Sequence, residues 1–486
     1  MSAPFDFLII GSGAGGAAAA YKLTRAGSRV LLLEKGPRLP DDGSTLDPQI
    51  VLREGRYKSH EIWQDAAGRD FMPEEYFNLG GKTRWYGAAL LRFQPGDFVA
   101  DSARQLLPWP FAAEELRPYY EEAESLLQVG RFDAEPDLAR IAARLTRGGW
   151  QADTLPMGLS PAIHDNENAA THYDGYAVPN GLKADAQYRL LDRVSSLPNL
   201  QIETGAEVAS LLPSADDALR IAGVRLVDGR EFLASTVLLA GGALHSPRLL
   251  QAYITKQGLA GHLSAASSVG RNFKKHILTA VLGFSPMPQN DRLRKTLLIT
   301  NSRFPSSSVQ PLGGWTDRDI VRSVLPRWLP GFVTEFFARR VYGFFLQTED
   351  GSHVDNRVVS TVNGGKPALL YAPKKLPQHT EHRSFVAAFC VALLRARLLP
   401  VAKPVPLAGT AHACGTLVTG LDPATSVVDG EGRVHGMANL YVVDGSVLPR
   451  SSRMNPALTI YAWSLRVADR LLADKGIKKA ARETVS

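Results

Sequence analysis

The sequence predicts an α/β fold of two joined domains, one of them assembled from both ends of the chain. Three observations predict it. A strand, a glycine-rich turn, a small-residue helix and a second strand follow one another in residues 5–34, a complete β-α-β unit. The residues with the clearest chemical promise, His412 and Asn455, lie at the opposite end of the chain, so they serve a site at the opening turn only if the two ends meet. Between them, residues 281–404 turn richer in Pro, Ser and aromatics and lose regular periodicity, as expected of a second domain. At 486 residues the chain is also longer than one small core needs.

The first unit carries the strongest motif. FDFLIIG is a short apolar run of strand formers that ends at glycine, Ala14 to Ala26 reads as a helix, and SRVLLLE reads as the second strand. Between strand and helix, Gly11, Gly13 and Gly16 make G-x-G-x-x-G. The first glycine permits a tight turn, the second lets backbone approach a pyrophosphate, and the third allows close packing of helix on strand. Helix N–H groups then face the phosphates. Glu34 ends the second strand, where a carboxylate accepts ribose hydroxyls and disfavours a 2′-phosphate. This is a Rossmann-like arrangement. The motif alone leaves FAD and NAD both open. Its place at the N-terminus of a long chain, and the lack of a second complete glycine motif, favour FAD.

Further elements follow in order. Residues 113–128 and 136–147 read as helices; LQIETGAEVASLL, LRIAGVRLV and EFLASTVLLAGG read as consecutive strands; ALHSPRLLQAY reads as the helix after the last of them. The expected division places 1–100, 175–280 and 405–486 in a discontinuous cofactor domain, and 101–174 with 281–404 in an antiparallel-sheet substrate-binding or lid domain.

Composition excludes several classes. Hydrophobic content of 45% and charged content of 21% are ordinary for a globular protein. The net charge of +7 is modest for this length and reads as scattered surface Lys and Arg plus a basic tail, KGIKKAAR, so no nucleic-acid partner is expected. The two cysteines, Cys390 and Cys414, form no C-x-x-C pair; a thiol redox centre, a zinc ribbon and a metal site are not expected. No apolar run reaches spanning length, and MSAPFDFLII shows no positive leader or cleavage site, so the expectation is a cytoplasmic protein.

The closing run supplies the chemistry. His412 lies in AHACGT, and Asn455 lies in RMNPALT, just before an apolar helix through YAWSLRVADRLL whose first turn Pro456 suits. A helix N-terminus aimed at an electron-rich ring stabilises negative charge on it, and reduced flavin is anionic at its N1/O2 edge. Alcohol oxidation by hydride transfer needs a base for the hydroxyl proton, which histidine can be, while an amide can hold the substrate oxygen. By spacing alone His412 is one of eleven histidines, and most histidines are surface or core residues. A second segment, residues 325–346, is unusually aromatic and carries Arg327, Arg339 and Arg340. A membrane-surface helix, a channel lid and an oligomer contact are all compatible with it, and its two prolines favour the lid or the contact.

The chain resembles the glucose–methanol–choline (GMC) oxidoreductases nearly end to end. FDFLIIGSGAGG, LLLEKGP, NLGGKTRWYGAALLRFQPGDF, GGALHSPRLLQ, EDGSHVDNRV and the long block from HACGT to NPALTI carry the resemblance. It implies an FAD enzyme that oxidises alcohols, here expected to act on a sugar, glycoside or polyol, with His412 as base and Asn455 as its partner. It implies contacts to FAD from Ser12, Gly13, Ala14 and Glu34, from Gly81, Thr83, Trp85 and Gly87, from Val208 at the adenine, and from Asp444, Gly445, Asn455 and Pro456. Relatives that attach FAD covalently do so through a histidine in the segment matching GGKTRW; Lys82 and Arg84 stand there instead, so noncovalent FAD is expected. Arg453 replaces a residue commonly small in relatives, and reads either as a contact to an anionic or densely hydroxylated substrate or as a surface ion pair. The electron acceptor (oxygen, a quinone or a redox protein) is left open, as is a homo-oligomer. The same scaffold also hosts lyases and a photoenzyme; the intact His/Asn pair argues against the photoenzyme.

Overall fold

The computed structural model describes residues 5–313, 321, 328–361, 365–372, 376–410 and 412–476. Its main strands are β1 (Phe5–Ile10), β2 (Val30–Glu34), β3 (Gln151–Thr154), β4 (Leu200–Thr204), β5 (Val208–Pro213), β6 (Ile221–Leu226), β7 (Glu231–Leu239), β8 (Ile277–Phe284), β9 (Leu297–Thr300), β10 (Ser307–Pro311), β11 (Val341–Thr348), β12 (Leu399–Pro404) and β13 (Leu440–Val442). Its main helices are α1 (Ala14–Arg25), α2 (Arg117–Leu126), α3 (Pro136–Arg147), α4 (Gly242–Lys256), α5 (Gly331–Ala338), α6 (Gln378–Arg395) and α7 (Ala457–Asp474).

The first sheet runs β4-β2-β1-β7-β6-β5, with β13 also beside β7. Pairing is parallel from β4 through β7 to β13, and antiparallel from β7 out to β5. Every residue of β2 and the last four of β1 are buried, as a strand covered on both faces requires. Four alanines, Ala17 to Ala20, are completely buried and let α1 lie close to the sheet. The run LQIETGAEVASLL, read as one strand, is two: Gly205 takes φ 67° and the chain turns between β4 and β5.

The second sheet runs β12-β8-β11-β10-β9-β3 and is antiparallel throughout. Side chains alternate across it. Tyr342, Phe344 and Leu346 of β11 join Phe385, Phe389 and Leu393 of α6 in an apolar core. Phe345 and Gln347 point the other way, into a cavity between the two sheets. Of the 101–174 segment, α3 and β3 belong to this second layer. In contrast, α2 lies against the helices of the first layer: Lys22 Nζ pairs with Glu122 at 2.7 Å, and the Tyr120 hydroxyl meets Thr459 Oγ1 at 2.8 Å.

The aromatic segment resolves into a short helix, α5, and the buried strand β11. Trp328, Phe332 and Phe336 are 79%, 76% and 51% exposed. Arg340 stacks on the Phe336 ring at 3.7 Å, and Arg339 pairs with Glu335 at 2.9 Å. Arg327 and residues 477–486 of the basic tail lie outside the described residues. Among the described residues no helix is long and apolar enough to cross a membrane.

The chain ends meet at the glycine turn. A Cβ on Gly15 would fall 1.8 Å from Val443 O, and Ser464 Oγ of α7 donates to Gly15 O at 2.6 Å. A Cβ on Gly16 would fall 1.9 Å from Gly11 O, so that glycine packs helix on turn. A Cβ on Gly13 would meet nothing within 4 Å. Gly16→Ala is therefore expected to cost about 1–3 kcal/mol, the range for overpacking a close contact, whereas Gly13→Ala leaves the ligand-free fold unaffected. Thermal denaturation of the two variants separates them; equal melting temperatures would contradict this packing.

Candidate active site

A cavity of about 890 Å³ opens where the parallel strands end, lined by Ile10, Leu33 and Ala240 on one side and by Phe345, Gln347 and Gln310 of the second sheet on the other. That is where doubly wound sheets receive ligands, and the volume suits a dinucleotide with room beside it. Of the residues expected to hold the cofactor, all but Gly16 line this cavity. Gly16 instead shapes the turn from behind.

The nucleotide end is a backbone trough. Gly11 takes φ 104°, and a Cβ there would meet Ala240 O at 2.4 Å, so only glycine makes this turn. Gly81 takes φ 54° and lies against Gly13, where a Cβ would stand 3.1 Å from the Gly13 Cα. Helix α1 starts at Gly13 with no side-chain cap and no acidic residue in its first turn. Its N–H groups and dipole are left for an anion, which is what a pyrophosphate needs. Buried Glu34 accepts from Ser12 N at 3.0 Å and from Gly36 N at 2.9 Å, and burial raises its pKa. Ser12 Oγ also donates to the oxygen that Ser12 N reaches, so the other oxygen, Oε1, keeps a lone pair for a ribose hydroxyl. Together these features fit FAD.

Several expected contacts act by shaping rather than by reaching. The two oxygens of Asp444 accept from Gly242 N, Ser246 Oγ, Ser446 N and Ser446 Oγ. Four donors fill its lone pairs, so Asp444, although it lines the cavity, anchors the start of α4. The Thr83 hydroxyl is occupied by Gly80 O and Ala186 N. Trp85 is fixed by a 2.8 Å bond to Asn78 Oδ1 and by stacking on Tyr76 at 4.7 Å. Gly87 has no room for a side chain, because Asp174 and Lys295 pair against it at 3.1 Å. Lys82 lines the cavity and pairs with Glu75; Arg84 is buried elsewhere, over the Tyr188 ring.

At the far end, His412 Nε2 and Asn455 Nδ2 stand 3.4 Å apart, from residues 43 positions apart in sequence. His412 takes φ 64°, a strained conformation for a non-glycine residue that places its ring on the cavity wall. Burial pushes its pKa well below the usual imidazole value, and His276, Lys295 and Lys82 add to that. Gln310 Nε2 donates to Asn455 Oδ1, which turns the Asn455 amide nitrogen toward His412. The loop ahead of Asn455 is pinned from the end of β11: Arg450 makes a two-pronged ion pair with Glu349, and Glu349 also accepts from Ser452 N at 3.1 Å. Removing one partner of such a buried pair costs about 3–5 kcal/mol. Asn455 and Pro456 then lead into α7, whose first turn opens on the cavity.

One expectation fails on contact. Arg453 does not line the cavity; its guanidinium donates to Pro305 O at 3.0 Å near the surface, and only its carbonyl faces inward, accepting from Ser308 Oγ and Gln347 Nε2. The backbone carbonyl is tied to β10 and β11, which sends the side chain out. Sequence reasoning also missed His276, whose Nδ1 lies 2.8 Å from His412 Nδ1, and the Asp174–Lys295 pair. The only trace in the sequence is that His276 directly precedes the apolar run of β8.

Known proteins match this arrangement along its length. A family model described as FAD dependent oxidoreductase matches residues 6–373, and one described as GMC oxidoreductase matches residues 403–464. Paromamine 6'-oxidase of Streptomyces fradiae is 29% identical over 97% of this chain and 92% of its own, and 6'''-hydroxyparomomycin C oxidase of Streptomyces lividus is 30% identical with the same coverage. Fructose dehydrogenase large subunit of Gluconobacter japonicus is 24% identical over 96% of this chain and 98% of its own. The crystal structure of pyridoxine 4-oxidase from Mesorbium loti superposes with a TM-score of 0.69 at 19% identity, covering 96% of this chain and 99% of that one, which shows a shared fold. With the glycine trough, the open helix end and the matching length of sequence all in one molecule, the chain belongs to the GMC oxidoreductases and is an FAD-dependent oxidoreductase of that family.

Proposed function

We propose that this enzyme oxidises an alcohol borne by a sugar, glycoside or polyol, with His412 as the base and Asn455 as the group that holds the substrate oxygen. The observation that carries this reading is the approach of His412 Nε2 to Asn455 Nδ2, 3.4 Å apart on the wall of the same cavity that the glycine turn opens. FAD, when bound, supplies the acceptor for the hydride of the carbinol carbon. The first sheet and its helices, made in the main from 1–100, 175–280 and 405–486, hold it. The second sheet forms the substrate wall. The Gly81–Arg84 turn has no histidine to attach the flavin, so it is held noncovalently.

The chain's own groups divide the work. The substrate hydroxyl takes the place of the Asn455 amide at the single lone pair of His412 Nε2, which takes the hydroxyl proton as the carbon is oxidised. With Asn455 Oδ1 engaged by Gln310, the second N–H of Asn455 is free to hold the alcohol oxygen. Leu278, Phe345 and Val405 give the substrate side an apolar wall, while Gln310 and Gln347 add amide groups suited to hydroxyls. The names of the relatives, paromamine 6'-oxidase and fructose dehydrogenase among them, support a hydroxylated small molecule over a bare hydrocarbon alcohol.

Replacing His412 with Ala is expected to leave FAD bound and slow its anaerobic bleaching by substrate about 10²–10⁴-fold, the usual share of a general base. Bleaching at the wild-type rate would refute the assignment. The pH dependence follows from the direction of the shift. A base whose pKa is pushed below 6.5 stays unprotonated as pH falls past 6.5, and is lost only when pH falls through its own lowered value. The acid limb of kcat/KM is thus expected below pH 6.5; a midpoint at or above 6.5 would contradict a buried, neutral His412.

A further inference from the structure

The hydrogen bonds that run through two imidazole rings fix where their protons sit. His276 is completely buried directly before β8, and its Nε2 lies 3.0 Å from Ser451 O. A carbonyl only accepts, so His276 Nε2 carries a hydrogen. A neutral imidazole has only one, which leaves His276 Nδ1 bare. His412 Nδ1 lies 2.8 Å away, and a contact between two ring nitrogens needs one hydrogen between them. That hydrogen sits on His412 Nδ1. His412 Nε2 is then bare, facing the amide nitrogen of Asn455, which donates.

The anchor is firm. Ser451 Oγ accepts from Asp350 N at 2.9 Å, and the residues on either side, Arg450 and Ser452, are both held by Glu349. The charges around the rings are also graded. Burial disfavours a positive charge on both rings; His276, Lys295 and Lys82 disfavour it further on His412, whereas Glu349 partly offsets the burial of His276.

We propose that His276 is a positioning residue for the oxidation: it locks His412 in the tautomer whose Nε2 is bare toward the substrate, and it gives the abstracted proton a second seat. This rests on His412 being the base. As the substrate O–H bond breaks, an Nε2–H bond forms on His412. The proton on His412 Nδ1 passes to His276 Nδ1. His412 is left neutral, and the positive charge rests on His276, whose Nε2–H still donates to Ser451 O. Only one extra proton fits, since two would set N–H against N–H.

The test uses the FAD-loaded enzyme and three variants. In His276→Asn the side-chain oxygen can accept from His412 Nδ1 and the amide can donate to Ser451 O, which preserves the tautomer without the second seat. His276→Phe preserves neither. Anaerobic bleaching is expected to slow about 10²-fold or more in His276→Phe, by analogy with the cost of a wrong tautomer in a triad, and to recover to within about 10-fold in His276→Asn. KM is expected to stay within about threefold in both, since neither change touches the substrate wall. A wild-type rate in His276→Phe, or no recovery in His276→Asn, overturns the proposal. His412→Ala, run beside them, separates the two readings: a wild-type rate there overturns the base itself. Should His276→Phe fail to hold FAD, ¹⁵N-histidine NMR of the wild-type holoenzyme decides instead. His412 is expected to be protonated at Nδ1 and bare at Nε2, and His276 the reverse; the opposite pattern overturns the proposal.

Discussion

Gly15 has no room for a side chain, because the carbonyl of Val443 occupies the place where one would begin. That backbone-on-backbone contact holds the last fifth of the chain against the first turn. Beside it, β13 pairs with β7 in the same parallel sheet as β1, and Ser464 of α7 reaches back to Gly15 O. The consequence is geometric. Residues separated by over four hundred positions share one cavity, and the helix that follows Asn455 opens on the same space as the helix that follows Gly13. Loosening this contact would separate the cofactor's seat from His412 and Asn455.

Charge is placed with the same economy. Two helix ends, those of α1 and α7, reach the cavity without a capping side chain. The third, α4, is answered by Asp444, which turns a buried carboxylate into part of the frame. Buried Glu349 and Arg450 neutralise one another while shaping the loop that ends at Asn455. The imidazoles are kept neutral by burial, which is the state a base must hold before it acts.

The nucleotide end was legible in the sequence because its requirements are local. Gly16 packs on Gly11 O within the same turn, Gly13 leaves open space beside the helix end, and Gly11 takes a positive φ, although the carbonyl it would strike, that of Ala240, comes from the end of the neighbouring strand β7. Glu34 was legible for the same reason. The substrate side was not. His276, Gln310 and Lys295 belong to three separate segments, and the antiparallel register of the second sheet and its neighbouring loops brings Gln310 and Lys295 to the cavity and His276 against His412. Arg453 misled because its neighbours in sequence face the site, while its own carbonyl is claimed by Ser308 and Gln347. The division of 101–174 was equally hard to read: α2 is amphipathic whichever layer it covers, and its ion pair with Lys22 is invisible until both helices are placed.

Anaerobic mixing of the purified, FAD-loaded protein with a panel of sugars and polyols, read at the flavin absorbance bands, tests the central claim most directly. The structure predicts that at least one polyhydroxylated alcohol bleaches the flavin fully without oxygen or any added reductant. A flavin that stays oxidised with every member of the panel, yet bleaches with an unhydroxylated donor, would contradict it.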